Sequence, residues 1–280
     1  MKQRTFGPEQ TGVSVIGQGT WNLELAPRAD ALRTLRRGIA LGMTHIDTAE
    51  MYGSGRAEAL TGEAIAGRRD RVFIVSKVLP SNASRKGTIA ACERSLKALK
   101  TDYLDCYLLH WRGSYPLEET FAAFEELKAA GKIRSWGVSN FDEDDLEEAL
   151  SIAGAGKIAC NQVLYHLRER AIEHAVIPWC EQHTVAVVAY SPFGQMASPP
   201  LSTPGGKVLA EIADARDATP RQVALAFLTR RKSVLAIPKA SKVAHAEENA
   251  GAGDLELTAK EIERIGKAFP LGRPKSLPML

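Results

Sequence analysis

The sequence lacks the features that identify several classes of protein. Its only cysteines among 280 residues are Cys92, Cys106, Cys160 and Cys180, and no two of them form a CxxC pair, so the chain is not a disulfide scaffold. We expect all four thiols to be small buried hydrophobic groups. The longest apolar stretches are shorter than a membrane span, and residues 1–7 lack the apolar core of a signal peptide. The sequence therefore predicts a cytoplasmic protein without a membrane partner.

An excess of charge of either sign is also missing. The chain has 36 Lys and Arg against 33 Asp and Glu, the formal net charge is +3, and there is no basic run. This balance argues against nucleic acid or a membrane surface as a partner. We expect a small-molecule substrate, a monomeric chain and no metal site.

No linker or low-complexity tract divides the chain. The composition, with 45% hydrophobic and 25% charged residues, is that of a globular protein. A chain of this length suits one α/β barrel or two smaller domains, and the absence of a boundary predicts a single domain over residues 1–280.

Short runs rich in β-branched or aromatic residues alternate with helical patterns. Two extended patches in residues 3–16 predict an N-terminal β-hairpin. The predicted barrel strands lie at residues 13–17, 44–48, 72–78, 103–110, 134–139, 159–164, 184–190 and 233–237. The predicted helices lie at residues 28–41, 56–66, 87–99, 117–130, 142–150, 171–182, 220–230 and 242–251, with a further helix after Thr258. The proline-rich residues 198–204 predict an inserted loop after the seventh strand.

Eight strand–helix units joined by right-handed crossovers favour a (β/α)8 TIM barrel with an N-terminal β-hairpin and an extra C-terminal helix. The alternative is an open doubly wound sheet. Its dinucleotide-binding form requires GxGxxG after the first strand, but GQGTWN at residues 17–22 has only the first two glycines. The bulky Trp21 favours a pocket wall there rather than a close phosphate turn.

Four reactive side chains stand at or just after the ends of consecutive predicted strands, namely Asp47, Tyr52, Lys77 and His110. In a barrel these positions face one mouth. A phenol with a pKa of about 10 needs a neighbouring cation to act as an acid at neutral pH. We predict that Asp47 holds the Lys77 ammonium against Tyr52 and so lowers the phenol pKa. The His110 imidazole would direct an N–H at a carbonyl oxygen.

Each of these residues also has a structural interpretation. Asp47 alone could cap a turn, Lys77 alone could be a solvated side chain, and His110 alone could be a core histidine. Packing does not require all four residue types at matching strand ends. The joint pattern therefore favours proton chemistry.

The motifs around these residues resemble those of the aldo-keto reductases. The resemblance rests on DTAEMYG at residues 47–53, on Lys77 and on LLHW at residues 108–111, and it extends over residues 13–249. It implies a (β/α)8 barrel that binds NADPH in an extended form and transfers hydride from the nicotinamide to the carbonyl carbon of an aldehyde or ketone. It also implies that Tyr52 is the acid of a catalytic tetrad completed by Asp47, Lys77 and His110.

The same resemblance implies a set of cofactor-binding residues. The segments GVSNF and NQVLY supply Ser139, Asn140 and Gln162 for the carboxamide. In AYSPFG, Tyr190 would stack on the nicotinamide and so decide which ring face is exposed, although a barrel-core aromatic is the alternative interpretation of this residue. The other residues implied along the nicotinamide and pyrophosphate are Gly19, Thr20, Trp21, Asp47, Ser191, Pro192, Phe193 and Gly194.

The adenosine end of the cofactor is expected at the segment IPKASKVAHAEEN, which follows the last predicted strand. Lys239 would pair with the 2′-phosphate, and Glu248 with Asn249 would hold adenine. His245 departs from the family pattern, because an arginine often makes bidentate phosphate contacts there. NADPH is therefore the expected cofactor, with NADH possible. The spacing of Ser241, His245 and Asn249 puts them on one helix face, which favours a shared ligand over a solvated helix. The remaining residues implied at this end are Ile237, Pro238 and Ala240.

The substrate is the least specified part of the reaction. An apolar mouth around the tetrad is predicted from Trp21, Met51, Tyr52, Leu79, His110 and Trp111, with Phe193 as a further candidate. Only the short tail from Pro270 onward is available to cover this mouth, so we expect an open pocket and a broad substrate range. The chain is similar to bacterial family members that take small dicarbonyls such as methylglyoxal.

Two other functions are compatible with such a barrel. A regulatory barrel would bind NADPH with little turnover, as ion-channel β subunits of the family do, although no extra interaction segment is present and the tetrad is intact. A barrel isomerase or lyase would use Lys77 as a Schiff-base nucleophile, and it would need that amine unpaired and desolvated.

Overall fold

The structure is a computed structural model that describes residues 1–194 and 202–280. Within these ranges the strands form a small antiparallel hairpin and one eight-stranded parallel sheet in chain order. The hairpin consists of β1 (Gln3–Phe6) and β2 (Thr11–Ser14). The parallel sheet consists of β3 (Gln18–Gly19), β4 (His45–Asp47), β5 (Phe73–Val78), β6 (Leu104–Leu109), β7 (Ile133–Ser139), β8 (Ile158–Leu164), β9 (Ala186–Tyr190) and β10 (Val234–Ala236).

The parallel sheet closes into a barrel between its first and last strands. The Gly17 N–H donates to the Ala236 carbonyl at 2.8 Å, and the Gly19 N–H donates to the Pro238 carbonyl at 3.2 Å. A side chain at Gly19 would not fit, because its Cβ would lie 2.7 Å from the Ile237 carbonyl oxygen. The first and last strands of the parallel sheet are thus bonded to each other, and the predicted (β/α)8 barrel with its N-terminal hairpin is confirmed.

The first barrel strand differs from the one predicted at residues 13–17. Val13 and Ser14 pair with β1 in the hairpin, and the first barrel strand, β3, begins one residue after the predicted strand ends. The hairpin uses the backbone hydrogen bonds of residues 11–14, so these residues are not free to pair with β4. Phe6 and Val13 of the hairpin instead pack with the inward-facing side chains of the barrel, among them Phe73.

Helices surround the barrel, and in the described ranges there are ten of them. They are α1 (Arg28–Ala40), α2 (Arg56–Ile65), α3 (Arg85–Leu99), α4 (Leu117–Ala129), α5 (Glu143–Ala153), α6 (Val176–Gln182), α7 (Pro204–Ala215), α8 (Pro220–Leu228), α9 (Val243–Gly251) and α10 (Ala259–Ala268). The last of these is the predicted extra C-terminal helix. None of them is long and apolar enough to cross a membrane.

Helix α7 was not predicted. The inserted loop expected at residues 198–204 lies outside the described residues up to position 201, but Pro204 is the first residue of α7. The Thr203 side chain accepts a hydrogen bond from the Gly206 N–H, and a proline follows this cap at the first helical position. A capping threonine and a proline at the first helical position both favour a helix start. The prolines just before them indicated a loop instead, so the helix was not predicted.

A buried ion cluster connects the loop after β8 to the end of α8. The Glu173 carboxylate accepts hydrogen bonds from the Arg170 Nε at 2.7 Å, the Arg230 Nη2 at 2.5 Å and the Tyr165 hydroxyl at 2.6 Å. Burial by itself would raise the pKa of Glu173, but the hydrogen bonds from Arg170 and Tyr165 and the charge of Arg230 hold that pKa below its usual range. The carboxylate therefore stabilises the fold in its ionised form.

We predict that Glu173→Gln lowers the free energy of unfolding by about 3 kcal/mol at neutral pH, because it leaves two largely buried guanidinium groups without their anion. A depressed carboxyl pKa contributes stability above the pKa of the unfolded chain and loses it as the pH falls through the folded pKa. The difference between wild type and Glu173→Gln should therefore shrink in acid, as measured by urea denaturation at neutral and acidic pH.

Glu181 provides the matched control. Its ion pair with Arg231 is 2.8 Å long, but both side chains are 37% exposed. Glu181→Gln should therefore cost less than about 1 kcal/mol. If Glu173→Gln and Glu181→Gln lowered the free energy of unfolding equally, a structural role for the Glu173 cluster would be contradicted.

Candidate active site

The four predicted catalytic residues lie at the carboxyl ends of three neighbouring strands. Asp47 is the last residue of β4, Lys77 is the second-last residue of β5, and His110 directly follows β6. Tyr52 begins a 3-10 turn at Tyr52–Gly55, in which Gly53 and Ser54 have positive φ angles. Because the strands are parallel, these ends open on one face of the barrel, and the structure brings all four side chains together there.

Lys77 is the centre of this group, and its side chain is fully buried. Its Nζ donates to the Asp47 Oδ2 at 2.7 Å, to the Thr48 carbonyl at 2.8 Å and to the Tyr52 hydroxyl at 3.2 Å. An ammonium out of contact with water needs acceptors for its protons, and these three oxygens supply them. Asp47 thus holds the cation against the phenol, in the arrangement that the sequence predicted.

The pKa of Tyr52 does not follow the prediction. Burial raises the pKa of Tyr52, the Lys77 ammonium lowers it, the Asp47 carboxylate raises it again, and the result lies above the ordinary value. The predicted net lowering is wrong, because the cost of burying a phenolate outweighs the attraction of the ammonium. Tyr52 is therefore protonated at neutral pH, although the adjacent Lys77 ammonium favours its ionised form.

Lys77 and His110 each remain in a single protonation state around neutral pH. Burial alone would lower the pKa of Lys77, but the Asp47 carboxylate and Tyr52 raise it overall, so the amine stays charged. Burial and the Lys77 charge lower the pKa of His110 to about 2, so its imidazole is neutral. The His110 ring stands edge-on to the Tyr52 ring, with 5.8 Å between centroids. A neutral imidazole beside a protonated phenol offers two hydrogen-bond donors to one oxygen atom.

Residues implied for the carboxamide are joined to the same group. The Gln162 Nε2 donates to the Asp47 Oδ1 at 2.7 Å, so both carboxylate oxygens of Asp47 are bonded. The Ser139 hydroxyl donates to the Gln162 backbone carbonyl at 2.8 Å. These bonds hold β7 and β8 in position against the tetrad.

Asn140 and Tyr190 are hydrogen-bonded to each other beside this group. Asn140 has a positive φ of 60°, and its Nδ2 donates to the His110 carbonyl at 3.1 Å. The Tyr190 hydroxyl donates to the Asn140 Oδ1 at 2.9 Å. Tyr190 ends β9 and is half-buried, so its ring is accessible from the cavity.

A cavity of about 80 Å³ opens beside the tetrad. The residues that line it are Trp21, Met51, Tyr52, His110, Trp111, Ser139, Asn140, Gln162, Tyr190 and Leu280. Two of the apolar residues predicted for this mouth are not in its wall. These are Leu79, whose backbone N–H donates to the Glu50 Oε1 at 2.8 Å, and Phe193, which lies under the guanidinium of Arg221.

The C-terminal tail, which the sequence predicted as the only cover available for the mouth, reaches this cavity. Leu277 packs against the hydrophobic core, Lys275 forms an ion pair with Glu169 at 2.5 Å, and the Gly272 carbonyl lies 3.2 Å from the His174 Nε2. These contacts bring Leu280 to the cavity wall. The tail therefore supplies one residue of the wall.

The residues implied along the pyrophosphate surround the same end of the barrel. Gly19 ends β3, and the Thr20 hydroxyl donates to the Asp47 carbonyl at 2.9 Å. Ser191, with a positive φ of 46°, starts the turn after β9. The other members of this turn are Pro192, Phe193 and Gly194.

The residues implied for the adenosine end follow β10. The side chain of Lys239 is exposed. Its pKa is lowered overall, because partial desolvation of the ammonium outweighs the attraction of the nearby Glu24 carboxylate. His245 is exposed on α9, whereas Asn249 on the same helix is 1% exposed and its Oδ1 has no hydrogen-bond partner. The remaining residues of this segment are Ile237, Pro238, Ala240, Ser241 and Glu248.

Arg221 is the notable residue that sequence reasoning missed. It is the second residue of α8, and its Nε lies 3.4 Å from the Glu248 Oε2. Thr219 caps this helix through a capping box with Gln222, which was a readable signal for where the helix starts. No sequence signal connected this helix start to the segment at Glu248.

Known proteins resemble this chain in both sequence and fold. The sequence profile described as "Aldo/keto reductase family" matches residues 15–269. This chain belongs to the aldo/keto reductase family. It is 47% identical over 263 residues to the methylglyoxal reductase YeaE of Escherichia coli, a match that covers 93% of each chain. It is 33% identical over 238 residues to a glyoxal reductase of Bacillus subtilis, covering 84% of this chain and 82% of that protein.

Solved structures of aldo-keto reductases agree with this assignment. One from Klebsiella pneumoniae, in complex with NADPH, superposes with a TM-score of 0.92 at 46% identity, covering 100% of this chain and 99% of that chain. A second from the same organism, with NADP and acetate, has a TM-score of 0.92 at 44% identity and covers 100% of both chains. The resemblance found in the sequence is thereby confirmed, and this aldo-keto reductase is an oxidoreductase.

Proposed function

We propose that this protein reduces small aldehydes and ketones with NADPH, and that Tyr52 is the general acid. The observation that carries the proposal is the buried Lys77 ammonium, which is bonded to both Asp47 and Tyr52. A charged lysine in this position has no packing role that an apolar residue would not fill at lower cost. Its effect is to stabilise negative charge on the phenol oxygen.

The residues present suit NADPH at both ends. The buried Asn249 Oδ1 has no hydrogen-bond donor, and the amino group of adenine is a donor of the kind that it lacks. Ser139, Asn140 and Gln162 would hold the carboxamide end beside Tyr190. When bound, NADPH supplies the hydride. The protein supplies the binding surface, the orientation and the proton.

The tetrad would act on the carbonyl oxygen of the substrate. The neutral imidazole of His110 donates an N–H to that oxygen, and Tyr52 donates its O–H to the same atom. As negative charge develops on the oxygen, the Tyr52 proton transfers to it. Lys77 stabilises the resulting phenolate, and Asp47 keeps Lys77 in place. Trp21 and Trp111 supply apolar surface in the cavity wall beside the tetrad.

The cavity is small and carries apolar side chains beside its polar residues, which supports small carbonyl compounds over a broad range, including dicarbonyls of the methylglyoxal type. The relatives named for methylglyoxal and glyoxal reduction support the same class. We further propose that the chain acts as a monomer, since every residue of the proposed site comes from one chain. Analytical ultracentrifugation with and without NADPH tests the monomer.

The test of the activity is the loss of NADPH absorbance at 340 nm with a panel of aldehydes and ketones. We expect turnover of methylglyoxal and other small aldehydes, and NADH should serve less well. NADPH binding without turnover of any compound would instead favour a regulatory barrel. A Schiff-base mechanism is disfavoured because Lys77 is charged and paired, and the absence of borohydride trapping with a carbonyl substrate would confirm that it does not occur.

We predict that His245→Arg tightens NADPH binding by about tenfold, which corresponds to about 1.4 kcal/mol for one added charge-assisted contact, and leaves NADH nearly unchanged. NADH lacks the 2′-phosphate, so its affinity should not respond to the substitution. Binding titrations of both nucleotides to the wild type and the variant measure these effects.

Ala244→Arg is the matched control, because it adds the same charge at an exposed position about 100° around α9. It should change NADPH affinity much less than His245→Arg does. If His245→Arg changed NADPH and NADH equally, the side chain at position 245 would not contact the phosphate, and Lys239 would carry any preference.

A further inference from the structure

Arg221 connects two parts of the proposed cofactor site that are far apart in the sequence. Its guanidinium carbon lies 3.9 Å from the centroid of the Phe193 ring, in the turn after β9. Its Nε lies 3.4 Å from the Glu248 carboxylate on α9. The first contact belongs to the segment implied for the pyrophosphate and the second to the segment implied for adenine. Arg221 thus lies where these two segments meet.

The position of Arg221 is fixed by its surroundings. The Thr219–Gln222 capping box sets the start of α8, and the Gln222 Nε2 donates to the Glu248 backbone carbonyl at 2.9 Å. These bonds hold α8 against α9. The Arg221 side chain nevertheless keeps 26% of its surface exposed, so a ligand can reach it.

The charge of Arg221 is already paired. The Glu248 carboxylate lies close to the Arg221 Nε, and no hydrogen bond is formed, because that N–H does not point at the carboxylate. A paired guanidinium offers a ligand its flat surface more than its charge. Flat cationic surfaces stack on aromatic rings, as this one does on Phe193.

We propose that the Arg221 guanidinium recognises the adenine ring of the cofactor by stacking on it, and that Phe193 packs against the opposite face of the same guanidinium. The proposal rests on the proposed NADPH function and adds a specificity residue to it. Adenine is favoured over the 2′-phosphate because Arg221 pairs with Glu248, the neighbour in sequence of Asn249 with its unpartnered Oδ1, whereas the exposed Lys239 lies near Glu24. Arg221 should therefore contribute equally to NADPH and NADH.

Binding titrations followed by tryptophan and nucleotide fluorescence test this proposal. Arg221→Ala should weaken NADPH and NADH by the same factor, about tenfold, because one stacked cation is lost. The affinity for ADP-ribose should fall by the same factor. Reduced nicotinamide mononucleotide, which has no adenine, should bind to the variant as tightly as to the wild type. Arg221→Lys keeps the charge but not the flat surface and should remain weak.

Arg231→Ala is the matched control, since Arg231 also pairs with a glutamate, Glu181, but precedes β10 at the opposite end of the barrel. It should bind both nucleotides normally. A loss confined to NADPH would overturn the proposal in favour of a phosphate contact, and full recovery in Arg221→Lys would overturn stacking. Unaltered affinity in Arg221→Ala contradicts only the role of Arg221, whereas wild-type protein that binds neither dinucleotide contradicts the proposed function itself.

Discussion

Tyr52→Phe should lower the turnover of aldehydes at least about 100-fold while leaving NADPH affinity nearly unchanged, because a general acid contributes this much to a proton-transfer step. The substitution removes only the hydroxyl, whose partner in the structure is the Lys77 Nζ at 3.2 Å. The ring remains to fill its place beside His110. Steady-state rates and fluorescence titrations measure the two effects separately.

Tyr103→Phe is the matched control. This tyrosine directly precedes β6, at the end of the strand opposite the site, and its ring lies 3.8 Å from the Arg69 guanidinium and 4.1 Å from that of Arg134. Loss of its hydroxyl should leave turnover unchanged. If Tyr52→Phe retained a tenth of the wild-type rate, another group would be the acid.

Lys77→Met should also lower reduction at neutral pH by at least about 100-fold, for a different reason. The Tyr52 phenol still carries a proton that it could donate, but the cation that would stabilise the phenolate is gone. Burial and the Asp47 carboxylate still raise the pKa of Tyr52. Each unit of phenol pKa corresponds to about 1.4 kcal/mol against proton release. The pH–rate profile of the variant should therefore differ from that of the wild type, whereas NADPH binding should change little.

Lys77→Met leaves the Asp47 carboxylate buried without its cation, which destabilises the fold. The double variant Asp47→Asn/Lys77→Met removes that charge and keeps the test valid if the single variant unfolds. Lys157→Met, at a 44% exposed side chain paired with Glu125, is the matched surface control. An unchanged rate and pH profile for Lys77→Met would show that Lys77 is a structural strand-end residue.

Tyr52→Phe tests which group donates the proton. Lys77→Met tests which group stabilises the phenolate that remains after the proton has been donated. The distinction matters because Tyr52 is not a stronger acid than free tyrosine in this structure. In the proposed mechanism, the hydroxyl transfers its proton to an oxygen that becomes more basic during the reaction, and Lys77 acts on the resulting phenolate rather than on the resting phenol.

Most barrel strands could be located from the sequence because buried parallel strands are short, continuous apolar runs. This worked for β5 and β6, whose residues are all buried. It failed at residues 13–17, where an equally apolar run belongs partly to the hairpin, because a run of this kind does not reveal its pairing partner. It also failed at α7, where prolines obscured a capped helix start.

The sequence by itself determined the alternation of strands and helices, the position of Asp47, Lys77 and His110 at strand ends, and through them the family. These are local properties, since a strand end and its side chain are adjacent in the chain. Tertiary structure alone decided the raised pKa of Tyr52, the arrival of Leu280 at the cavity and the position of Arg221 between Phe193 and Glu248. Each depends on burial or on contacts between residues far apart in the chain, because desolvation and packing are set by the surroundings that folding brings together.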